Sequence, residues 1–221
     1  MTHLDHEVKR LKEDLKEMMS LTNSQIQKAS EAIFNFDKDL AREIIFYERR
    51  INSFELKIDR DCENILALLT PVAIDLRFVL ATLKINSSLE RISDNAESLA
   101  RYVLEMKEPF EVEFMTKIKL RQMFDTALSM LQDIYDSFDT EDTKIARNVL
   151  LKDDIMDEIN IVAAHTTEEY IKTNLDKTYQ SLYILSAIRK LERVGDQTKN
   201  IAEEIIFYLE AKVLKHKPLV P

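Results

Sequence analysis

The chain has 221 residues, 45% of them apolar, with a formal net charge of −9, one glycine, four prolines and one cysteine. A β protein of this size needs many Gly- and Pro-rich turns, and a phosphate-loop enzyme needs several glycines together, so both are excluded. The acidic balance also argues against a general nucleic-acid binder, leaving an all-α protein long enough for one domain or two.

The first helix is predicted from Leu4 to Phe36, on a stripe of Leu11, Leu15, Met18, Met19, Thr22, Ile26, Ala29 and Ile33 at three- and four-residue spacing. Asp37 is the expected N-cap of a second helix reaching Leu69, with Ile44, Ile51, Ile58, Cys62, Ile65 and Leu69 on its buried face. Thr70-Pro71 reads as a cap followed by proline at the first helical position, opening a third helix that runs to Met106. Lys107-Glu108-Pro109 breaks the pattern, and a fourth helix covers Val112–Phe138. After a turn at residues 139–142, a fifth helix covers Thr143–Lys172. Residues 174–176 make the next break, with Asp176 as the cap of a sixth helix reaching Leu214.

Cys62 lies in an apolar stretch, has no partner for an internal disulfide, and is expected to be a small core residue. The charged N-terminus is unlike a secretory signal, and no apolar run approaches the roughly 18–20 residues that span a membrane. His3, His6, His165 and His216 are unclustered, and a short basic patch, Lys215-His216-Lys217, lies near the C-terminus.

Leu-Glu-Arg-Ile-Ser-Asp-Asn-Ala-Glu-Ser-Leu-Ala at 89–100 returns nearly half a chain later as Leu-Glu-Arg-Val-Gly-Asp-Gln-Thr-Lys-Asn-Ile-Ala at 191–202. A second match at almost the same offset joins Ala41-Arg42, followed by Glu48 and Asn52, to Ala146-Arg147, followed by Asp153 and Asp157. Two matches on equivalent helices mark an internal duplication. The expected architecture is two tandem antiparallel three-helix bundles with internal pseudo-symmetry, residues 1–107 and 108–221, built of helices roughly 45 Å long.

The repeat carries acidic pairs. Glu90 and Asp94 share one helix face, as do Glu192 and Asp196, because residues four apart stack on a helix. Both pairs point away from their helix's apolar stripe. On the preceding helix of each half, Glu48 and Asn52, or Asp153 and Asp157, lie on the flank of the stripe. In an antiparallel hairpin an outward pair and a flank pair meet along the groove. Four oxygen side chains per half would then suit a hard cation. With Asn52 in place of a carboxylate, the first site is expected to be the weaker. The alternative is a solvated acidic face balanced by Arg91 and Arg193. No Glu-x-x-His, CxxC, GxSxG or Walker sequence is present, so catalysis is not expected.

At these residues the chain resembles the PhoU family of bacterial phosphate-transport accessory regulators. Leu-Glu-Arg-x-x-Asp fits at 89–94 and 191–196. Pro71-Val-Ala-Ile-Asp75-Leu-Arg77 fits the start of the third helix, and Asp153-x-x-Met156-Asp157 fits the acidic element of the second half. Glu48 is a conservative departure, and a glycine usual near Ile205-Ile206-Phe207 is absent. The resemblance implies a cytoplasmic protein, peripheral to the inner membrane through its partners, and often a homodimer. The family is not known for enzymes, and its members negatively regulate the phosphate-starvation response. It implies surface metal ions on the acidic motifs, iron first and magnesium, manganese, zinc or calcium next. The implied partners are the ATPase subunit of the phosphate ABC transporter and a sensor histidine kinase. Asp75 and Arg77 are either a local salt bridge or a partner contact. A metal-dependent phosphohydrolase and a purely structural dimerisation module are the competing functions.

Overall fold

The computed structural model describes residues 2–214, so the basic patch at 215–217, with His216, lies outside the described residues. Among the described residues seven α-helices follow one another: α1 His3–Asn35, α2 Lys38–Leu69, α3 Ala73–Glu105, α4 Val112–Lys117, α5 Leu120–Thr140, α6 Thr143–Thr173 and α7 Thr178–Glu210. The helical breaks predicted from sequence are present, and every predicted stripe residue of the first two helices is buried except Leu69, which packs against the core's edge. Asp37 caps α2 by accepting hydrogen bonds from the Asp39 and Leu40 amides at 3.0 and 2.9 Å.

Four boundaries differ from expectation. Thr70 does not cap the third helix; it ends α2 in the left-handed region at φ 44°, and Val72 occupies the N-cap of α3 with no side-chain hydrogen bond. Pro71 therefore lies between helices. The predicted fourth helix is broken at Ile118-Lys119, where Lys119 takes φ 58°, giving the short α4 and the longer α5. Asp176 is not a cap: it lies in a 3₁₀ turn at Leu175–Lys177, and α7 ends at Glu210, not Leu214. At Thr70, Lys119 and Ala211 the physical reason is shared. The only glycine is inside α7, so the chain makes most of its reversals with non-glycine residues at positive φ, including also Phe36 and Glu141, and such turns carry no sequence signature. The turn before α7 is different, with Asn174 at φ −138° and Lys177 at φ −96°.

Helices α1, α2 and α3 pack together, and so do α5, α6 and α7. The two halves then meet along α3 against α7 and α1 against α5, forming one continuous apolar core. Phe78 of α3, Phe138 of α5 and Tyr208 of α7 cluster across this seam, with ring centroids 5.5–6.2 Å apart. Lys84 of α3 pairs across it with Glu204 of α7 at 3.1 Å.

Among the described residues no ion pair joins Asp75 to Arg77. Arg77 instead donates from Nε to the carbonyl of Tyr208 at 3.2 Å, satisfying one of the free carbonyls at the end of α7. Arg77→Ala is expected to cost about 1–2 kcal/mol in chemical denaturation, with Arg77→Lys recovering part of it.

Cys62 is fully buried, and burial pushes its thiol up to about 12. A thiol-reactive dye is expected to leave native protein unlabelled and to label it stoichiometrically in denaturant.

Candidate functional site

Two acidic grooves run along equivalent helix pairs. In the first, α2 supplies Glu48 and Asn52 and α3 supplies Glu90 and Asp94. Glu48 is only 7% exposed, because the flank of the α2 stripe is covered by α3. Its Oε2 accepts a hydrogen bond from Asn52 Nδ2 at 2.7 Å, while its Oε1 and Asn52 Oδ1 are buried without a hydrogen-bond partner. Burial first, then the charges of Glu97 and Asp94, push the Glu48 carboxyl upward. Burial, then Asp94, Glu55 and Glu48, push Glu90 up to about 7 against a weaker pull from Arg91. The packing of α2 on α3 and the Asn52–Glu48 hydrogen bond bring the four predicted residues to one groove, where Glu55 and Glu97 also act on them.

The second groove, between α6 and α7, gathers Asp153, Asp157, Glu192 and Asp196. Asp153 is 1% exposed. Burial, then Asp196 and Asp157, raise the Glu192 carboxyl, and burial followed by Asp153 raises Asp196. A cation is already present here: Lys199 Nζ lies 2.6 Å from Asp153 Oδ2. Burial nevertheless keeps the Asp153 carboxyl above its ordinary value. Gly195 allows the close approach of α6, since a Cβ there would fall 2.9 Å from Met156 Sδ and 3.1 Å from Asp153 Oδ1.

Glu55, Glu97 and Lys199 are absent from the set read out of the sequence. A signal for two of them was available. Glu97 and Lys199 occupy the same place in the repeated segment, three residues after its Asp, and therefore lie on the groove side of α3 and α7. Glu55 follows Glu48 by two helical turns.

Neither groove is a closed cage. Among the described residues, the one set of three His, Cys, Asp or Glu with ligand atoms all within 4.8 Å of one another is His165, Glu168 and Glu169. That set is fully on the surface of α6, and Lys172 already pairs with both glutamates at 2.9 and 2.7 Å. The first groove fits a hard cation better. Its donors are carboxylates and an amide oxygen, and two of those oxygens are buried with nothing to accept from. A shallow cavity of about 410 Å³ adjoins it on the α3–α7 seam, lined by Arg91, Asp94, Glu97, Lys190 and Arg193. Arg91 and Arg193 therefore border the seam and form no ion pair with the acidic motifs among the described residues.

A PhoU domain model matches this chain twice, at residues 15–103 and 120–205, one match per half. A Thermotoga maritima protein named phosphate-specific transport system accessory protein PhoU homolog 1 is 30% identical over 96% of this chain and 91% of its own length. An Aquifex aeolicus PhoU homolog is 31% identical over 96% and 95%. The crystal structure of PhoU from Pseudomonas aeruginosa superposes with a TM-score of 0.90 at 28% identity, covering 95% of this chain and all of that one. The Streptococcus pneumoniae phosphate transport system regulatory protein PhoU gives 0.84 at 28% identity.

Proposed function

The chain belongs to the PhoU family, and from this premise we propose that it is a regulatory adaptor that restrains the phosphate-starvation response and phosphate uptake. The observation that carries this reading is the match of both halves, in order, to an accessory protein of phosphate transport. The fold suits docking: long helical faces, one continuous buried core and open grooves. Its partners are the transporter's ATPase subunit and a sensor histidine kinase, met at the cytoplasmic face of the membrane. No described helix is long and apolar enough to cross a membrane.

The start of α3 supports a docking surface. Val72, Ile74, Leu76 and Leu80 are exposed apolar residues around Asp75. Arg77 is anchored through Nε to the end of α7, so Asp75 and its apolar neighbours lead the partner contact, with the remaining Arg77 donors beside them. The first groove holds a metal ion through Glu48, Asn52, Glu90 and Asp94. The bound cation would neutralise a cluster that otherwise repels itself and would stiffen the α2–α3 surface.

Deleting the gene in its host and measuring a phosphate-repressible reporter in phosphate-rich medium tests the reading. Derepression restored by the wild-type gene is the expected result; an unchanged reporter would remove the adaptor role. Restoration by Glu90→Gln/Asp94→Asn as complete as by wild type would separate regulation from the metal.

A further inference from the structure

The two grooves differ in one charge that the duplication reverses. Position 97 in α3 is Glu, and its repeat equivalent in α7 is Lys199. In the first groove the buried Glu48 has one oxygen on the Asn52 amide and the other without a partner, among Glu55, Glu90, Asp94 and Glu97. Glu97 itself is tied to Arg101 at 2.6 Å, one turn further along the helix and pointing to solvent. In the second groove the equivalent buried carboxylate, Asp153, has an ammonium 2.6 Å away, and Asp157 and Asp196 also act on that ammonium.

We propose that the Lys199 ammonium is the resident cation of the second groove, occupying at Asp153 the place that the first groove leaves to a metal. The proposal rests on the metal reading of the first groove. It reverses the order of affinity expected from counting carboxylates alone, where Asn52 made the first site the weaker.

The chemistry favours an ammonium at this position. Lysine presents a compact charge with three donors on a flexible stem, so it reaches a buried carboxylate while its own methylenes pack along the helix. Asp153 is 1% exposed and would be costly to leave unpaired. A metal arriving beside a fixed ammonium meets repulsion in a partly desolvated groove, where charge interactions are poorly screened. Gly195 contributes by letting the Asp153 carboxylate lie against α7; the repeat equivalent is Ser93, whose side chain is buried.

Titration of the full chain with Mn²⁺, read by electron paramagnetic resonance, tests this. Wild type is expected to bind about one equivalent, lost in Glu90→Gln/Asp94→Asn. Lys199→Met is expected to bind about two, the second abolished by Asp196→Asn, while Lys199→Arg stays at about one. Two equivalents in wild type, or no gain in Lys199→Met, overturns the proposal. No binding in wild type but about one equivalent in Lys199→Met would sink the first-groove reading and leave this one standing. Circular dichroism checks folding, and Lys199→Gln, which keeps a donor for Asp153, replaces the Met variant if that one fails to fold.

Discussion

Phe138→Ala is expected to destabilise the chain by about 3–5 kcal/mol, the cost of emptying a fully buried aromatic site. For a chain of this size that lowers the melting temperature by roughly 6–20 °C. The position makes the result informative about organisation as well as packing. Phe138 belongs to α5 but touches Phe78 of α3 and Tyr208 of α7, and the Lys12 ammonium of α1 lies 5.8 Å from its ring centre. The cavity therefore opens on the seam between halves. Because the core is continuous, both halves are expected to melt in one transition that shifts as a whole. Two transitions, with only the later half affected, would mean that the halves fold as independent bundles.

Glu90→Gln is expected to do the opposite and stabilise the metal-free protein at neutral pH. The folded-state carboxyl titrates at about 7 against an ordinary 4.5, because it is buried beside Asp94, Glu55 and Glu48. Between those values the folded state holds a proton that the unfolded chain has released. The contribution of Glu90 to stability is therefore greatest on the acid side and falls as pH rises from 4.5 to 7, because over that range only the unfolded chain gives up the proton; above 7 folded Glu90 is charged against its neighbours. Removing the charge removes that loss. A shift of this size corresponds to at most about 3 kcal/mol, and solvent screening at a half-buried groove reduces it to about 1–2 kcal/mol. Melting at pH 5 and pH 8, with chelator present, is expected to show wild type losing stability at the higher pH and Glu90→Gln losing less. Equal pH dependence in the two proteins would mean that the groove is better hydrated than its burial indicates. The same variant is expected to bind cation less tightly, so stability and function pull against each other at this residue.

Much of this was legible in the sequence, for reasons that can be named. The all-α class and the duplication came from apolar spacing and from a repeated segment, both of which survive in any one chain, although six helices were expected where seven are present. The grooves followed from the direction of Glu90 and Asp94 relative to Leu89 and Ile92. What the spacing did not carry was the ends. Thr70-Pro71 has the residues of a helix start, yet the chain turns there through left-handed backbone at Thr70 and Ala73. Lys119 breaks a periodic apolar pattern with no glycine or proline to announce it. Nor did the spacing show that Arg77 reaches the far half instead of Asp75, two residues before it, since only the docking of α3 on α7 brings Tyr208 within range. Lys199 was visible as a letter in the repeat, but its meaning needed the 2.6 Å contact that makes it Asp153's counterion.

The decisive measurement is metal content, by plasma mass spectrometry, of gently purified full-length protein, comparing wild type with Glu90→Gln/Asp94→Asn. Near-stoichiometric metal in the first, lost in the second, is the expected result and would assign the first groove to a cation. Wild-type protein free of metal after manganese and iron are added back and dialysed would contradict it. The carboxylates would then be an acidic docking surface and nothing more.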